Sequence, residues 1–170
     1  LDNYLLIKSK KMKKTLLLIA IIATAFVQTG FAQHDHATDK APGLLPSYYN
    51  IKDALVMGNA TLAAIKAAEL VKAISDMDEK IINKTAKESL QKHTGMIAAS
   101  RELKSQRGHF SALSEDVIAL AKTVKLSDAP VYQMYCPMKK SNWLSNEKTV
   151  KNPYYGSAML TCGELTGTIK

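Results

Sequence analysis

At 170 residues, 46% hydrophobic and 22% charged, the chain has room for one domain that buries its own core, and it is not disordered throughout. Two cysteines exclude a dense disulfide scaffold. The net charge of +8 is a poor nucleic-acid signal. Five of the 23 basic residues and one of the 15 acidic ones lie in the first 32 residues, so the remainder carries 18 against 14, with only Lys139-Lys140 adjacent.

Met12-Lys13-Lys14, the apolar run Leu16 to Val27, and Thr29-Gly30-Phe31-Ala32 follow the order of a secretory signal: positive segment, apolar stretch, small residues at a cleavage site. The apolar run is shorter than the roughly 20 residues of a membrane span, so no stable insertion is expected once it is removed. Residues 1–32 therefore read as upstream sequence plus a cleavable signal, with Met12 the expected start and Gln33 the first mature residue. The expected destination is an oxidising compartment, most simply a bacterial periplasm. Residues 33–46 are polar and contain Pro42, Gly43 and Pro46, the composition of a flexible leader.

The domain is expected over residues 47–170. Ile51, Leu55, Leu62 and Ile65 form one helical stripe, interrupted at Gly58-Asn59, where Asn59 is placed to cap a second helix. Ile82, Ala86, Leu90, His93 and Ile97 form the next stripe. Leu103, Phe110, Leu113, Val117, Leu120 and Val124 form the cleanest one. These segments predict a mainly α fold, an antiparallel bundle of three or four helices. Beyond Ser127-Asp128-Ala129-Pro130 the pattern changes. Val131 to Tyr135 is β-prone, Asn152-Pro153 and Tyr155-Gly156 are turn signals, and Met159 to Ile169 reads as short strand broken at Gly163 and Gly167. A small β-containing C-terminal appendage is expected, with the tail aromatics Tyr132, Tyr135, Trp143, Tyr154 and Tyr155 as its core.

Both cysteines lie in that appendage, each with a methionine nearby: Cys136-Pro137-Met138 and Met159-Leu160-Thr161-Cys162. Four sulfur donors brought together would select a soft ion such as Cu(I) over Mg²⁺ or Ca²⁺. The competing reading is a Cys136–Cys162 disulfide, the ordinary fate of two cysteines in an exported protein. It would close a loop of about 26 residues and contribute roughly 3.5 kcal/mol in the chain-entropy picture. His109, at the edge of the best helical stripe, is a candidate further ligand. His93 lies on an apolar stripe and reads as a core residue. His34 and His36 read as part of a solvated tail. No phosphate loop, nucleophile elbow, HExxH helix or CxxC pair is present, so the sequence gives no case for an enzyme.

Taken in order, Tyr48-Tyr49, Asp53-Ala54-Leu55-Val56, Arg107-Gly108-His109-Phe110-Ser111-Ala112-Leu113-Ser114, Tyr135-Cys136-Pro137-Met138, Trp143-Leu144-Ser145, Asn152-Pro153-Tyr154-Tyr155-Gly156 and Met159-Leu160-Thr161-Cys162-Gly163 carry a resemblance. From about Pro46 to Ile169 the chain resembles domain-of-unknown-function family 3347, found in exported proteins of Bacteroidetes-type bacteria, with related domains on CusB-like adaptors of heavy-metal efflux systems. The resemblance implies a periplasmic accessory protein for copper or another heavy metal, with such an adaptor or another envelope protein as partner. The Cys-Pro-Met element also resembles the opening of the short metal-binding domains of those adaptors. It departs from them in offering one later cysteine, Cys162, where they carry a closely spaced pair.

Overall fold

The computed structural model describes residues 43–170, so the expected signal and most of the leader lie outside the described residues. Four helices come first: α1 (Leu44–Val56), α2 (Ala60–Ser75), α3 (Lys84–Ala99) and α4 (Leu103–Ala121). A three-stranded antiparallel sheet follows, from β1 (Val131–Cys136), β2 (Ser141–Ser145) and β3 (Glu164–Ile169), with a 3-10 turn at Gly156–Met159 before β3. The fold is thus mainly α with a C-terminal β appendage.

Helix α1 starts three residues earlier than the composition predicts. Gly43 adopts a left-handed conformation (φ 87°) at its N-cap, and Pro46 is tolerated because a first-turn N–H has no partner within the helix. Leu44 and Leu45 are buried, so the end of the supposed leader is core. The break at Gly58 is real, and the Asn59 side chain accepts from the Leu62 N–H at 2.9 Å, capping α2. Because that break resets the helical phase, α2 buries Ala63, Ala67, Leu70 and Ile74. Ile65, expected on the stripe, is 52% exposed. Asn83 caps α3 in the same way through the Ala86 N–H, which leaves Ile82 buried in the preceding turn rather than on the helix. On α4 the expected stripe holds: Phe110, Leu113, Val117 and Leu120 are buried, with Leu103 and Val124 packed at its margins.

Each helix packs chiefly on its neighbour in sequence, and α4 carries the sheet mainly through β2. The strand order is β2-β1-β3, with Met134 opposite Trp143 and Cys136 opposite Ser141. Strand β2 was not legible as a strand in the sequence. Strand β3 carries the extra residue of a bulge at Thr166, whose hydroxyl donates to the Gln133 carbonyl at 3.2 Å. Met159 to Thr161, expected as strand, instead form the 3-10 turn and the residues after it, so the strand begins only past Gly163.

An aromatic chain ties the layers together. Tyr48 stacks on Phe110 at 5.1 Å between ring centroids, Phe110 meets Tyr154 at 6.1 Å, and Tyr154 meets Trp143 edge-on at 5.9 Å. Trp143 and Tyr154 are therefore core, as the tail composition implied. The Tyr48 hydroxyl shares a 2.7 Å hydrogen bond with Ser114 Oγ on α4 and accepts from the Leu144 N–H of β2 at 3.1 Å. Burial pushes its pKa well above the ordinary tyrosine value, so the group stays neutral.

Tyr48→Phe keeps the ring stack but leaves a buried hydroxyl and a buried N–H without their partner. A loss of about 1–3 kcal/mol is expected, read as a lower urea midpoint at unchanged slope.

A paired-thiol site at the end of the first strand

Cys136 is the last residue of β1, and with Met134 it lies on the face of that strand turned into the core; both are fully buried. The four residues 137–140 turn the chain into β2. Pro137 fixes the entry angle, and Lys140 takes a left-handed φ of 55° while its N–H donates to the Cys136 carbonyl at 2.8 Å. The same turn aims the Lys139 N–H at Cys136 Sγ, at 3.4 Å.

The second donor to that sulfur comes from Asn152, which is completely buried. Its Nδ2 donates to Cys136 Sγ at 3.1 Å and to the Cys162 carbonyl at 2.6 Å, while its Oδ1 accepts from the Tyr154 N–H at 2.8 Å. Its backbone N–H reaches the Leu160 carbonyl at 2.8 Å, and its carbonyl accepts from Gly156 at 3.0 Å. One side chain thus holds the end of β1 and the segment 160–162 together.

Cys162 follows the 3-10 turn, its N–H bonded to the Met159 carbonyl at 3.1 Å. Gly163 beside it has a φ of 150°, and a Cβ there would lie 2.7 Å from the Trp143 ring and 2.9 Å from the Tyr135 carbonyl. Only glycine lets the chain pass this close to β1. The close approach brings the Cys162 thiol within electrostatic reach of Cys136 and of the Met138 backbone. Both are free thiols, Cys136 buried and Cys162 partly exposed. Partial desolvation, then the neighbouring Cys136, raise the Cys162 pKa, while the Met138 backbone opposes the shift.

Of the five residues expected as ligands, the fold therefore joins two. The Met159 carbonyl accepts the Cys162 N–H, but Met138 and Met159 are 61% and 39% exposed. His109 does not join the pair. On α4 the sheet is met by Ser111, which shares a 2.7 Å hydrogen bond with Ser141, and by Glu115, which accepts from the Asn142 side chain. His109 lies two residues before Ser111, about half a turn around the helix from that stripe. Among the described residues no three His, Cys, Asp or Glu side chains gather in the manner of a metal site, so His109 is not brought together with the two cysteines. Sequence reasoning missed Asn152 and Lys139. Asn152 was visible only as half of an Asn-Pro turn signal.

Residues 44–129 match the family described as protein of unknown function (DUF3347). This chain belongs to that family. The matched span covers the four helices and ends before β1, so the thiol pair lies outside it. No curated protein and no solved structure matches the chain significantly. No helix among the described residues is long and apolar enough to cross a membrane.

With its pKa raised, Cys162 is expected to ionise above the ordinary thiol value of about 8.5. The fold favours the protonated form, so this contribution to stability is full below the ordinary pKa and is lost as pH rises through the raised one. Ultraviolet thiolate absorbance against pH should show the high midpoint, and Cys136→Ser should move it back down.

Proposed function

We propose that this protein binds a soft metal ion, Cu(I), between the thiolates of Cys136 and Cys162, as a non-catalytic accessory of heavy-metal handling in the cell envelope. The observation that carries the reading is that one buried amide, Asn152, bonds both Cys136 Sγ and the Cys162 carbonyl, bringing together two cysteines that stand 26 residues apart in the chain. Adjacent thiols resist simultaneous ionisation, and a soft cation relieves that repulsion by replacing both protons. The chemistry of the donors favours Cu(I). Zinc's usual tetrahedral set needs ligands that are not gathered here among the described residues, whereas sulfur donors select copper in its reduced state. The N–H donors from Lys139 and Asn152 would disperse thiolate charge on Cys136 in the bound form. Met138 and Met159, both exposed, would add thioether contacts once an ion is bound.

Export to a periplasm fits the signal-like N-terminus, and an efflux adaptor or another envelope protein is the proposed recipient or donor of the ion. The same closeness supports a second reading, in which oxidation joins Cys136 and Cys162 in a disulfide and the domain serves as a stapled docking module without metal.

Anaerobic titration of the reduced protein with Cu(I), in competition with a chromogenic chelator, separates the two. One tightly held ion per chain is expected, lost in Cys136→Ser/Cys162→Ser and weakened by about 10–100-fold in Asn152→Ala, where the cysteines remain but their positioning is gone. Affinity unchanged in the double serine variant would sink the metal reading. Intact mass of envelope-extracted protein, before and after reduction, tests the disulfide through the gain of two hydrogens.

A further inference from the structure

A cleft of about 510 Å³ opens between the first turns of α4, the hairpin turn after β1 and the segment before the 3-10 turn, lined by Leu103, Lys104, Arg107, Lys139, Tyr154 and Tyr155. Three of its six lining residues are cations and none is an acid. Among the described residues none of the three cations has an ion-pair partner, although Lys66, Lys84, Lys125 and Lys151 elsewhere each have one.

Arg107 is the built part of the site. Its Nη2 donates to the Leu55 carbonyl at the end of α1, at 3.0 Å. Gly156 packs so close to the guanidinium that a Cβ there would meet Nη2 at 2.7 Å. The group is therefore fixed between α1, α4 and the 3-10 turn. Its Nε is shielded from solvent and has no acceptor. A charge-bearing donor left unsatisfied in this way is costly, and an anionic acceptor removes the cost. Lys104 and Lys139 are exposed at the mouth, where their ammonium groups can close over a ligand. The Tyr154 and Tyr155 rings and Leu103 supply an apolar wall for the ligand's body.

We propose that this cleft binds a small molecule through an oxyanion group, carboxylate or phosphate, held by Arg107 and enclosed by Lys104 and Lys139. The fixed guanidinium supplies positive charge and an unpaired N–H donor for such a group, and the two lysines add charge without requiring a fixed orientation. The site is separate from the thiol pair but shares the turn 137–140 with it: Lys139 lines the cleft with its side chain and donates its backbone N–H to Cys136.

Calorimetric titration of the full chain with inorganic phosphate and, separately, with succinate, at ionic strength held constant with chloride, tests the proposal and distinguishes the two oxyanions. Saturable one-to-one binding of at least one probe is expected, weakened about tenfold or more in Lys104→Ala/Lys139→Ala, whose side chains are exposed and not needed for folding. Arg107→Lys, with a denaturation midpoint measured alongside, should weaken it too. Cys136→Ser/Cys162→Ser should leave it unchanged, so the outcome does not depend on metal binding. Heat that chloride reproduces at the same ionic strength, or binding that the double lysine variant retains in full, overturns the proposal.

Discussion

The arrangement of this molecule depends on one buried hydroxyl. Tyr48 lies on the first helix, yet its oxygen bonds a serine on the fourth helix and a backbone N–H in the second strand. The four helices can close through apolar stripes alone. The sheet cannot be placed by that means, because its strands are short and its outer strand β3 is largely exposed. What orients it is a directional bond from the bundle, backed by ring contacts running through Phe110 and Tyr154 to Trp143. A hydroxyl bonded at once to two elements sets both distance and angle, which dispersion contacts do only loosely.

Asn152 plays the corresponding part at smaller scale. Two segments distant in sequence carry the sulfurs: one is the end of strand β1, the other the residues after a 3-10 helix. A buried amide offers donors and an acceptor in a fixed plane, and here each is used. The adjacent Pro153 keeps that amide at the head of its own turn, while Gly163 permits the close passage that brings Cys162 up to β1. The closeness of the two cysteines is thus a product of backbone geometry and of the Asn152 amide.

The helical part was legible because its signals are local. Asn59 beside Gly58 announces a cap, and the stripe from Phe110 to Leu120 announces a buried face; both are present. The errors are where a local signal was carried across a break. Ile65 was placed on a stripe begun in the preceding helix, and the new helix starts with its own phase. In the appendage, Val131 to Tyr135 was readable from composition, whereas Ser141–Ser145 was not, since Ser-Asn-Trp-Leu-Ser has weak β character and owes its conformation to pairing with β1. The closeness of Cys136 to Cys162 rests on tertiary geometry that no spacing encodes. The place of His109 off the sheet-facing stripe was implicit in helical periodicity, once the stripe through Ser111 and Glu115 is known.

The two sulfurs are unequally hidden: Cys136 is sealed behind the strand, while Cys162 keeps a window to solvent. Whatever reacts with the pair must therefore arrive from one side, meeting the outer sulfur before the inner one, and must leave by the same route. The inner thiol acts as a back wall that only a species already held at the front can reach. Such one-way access gives an otherwise symmetric pair of identical groups a first and a second step.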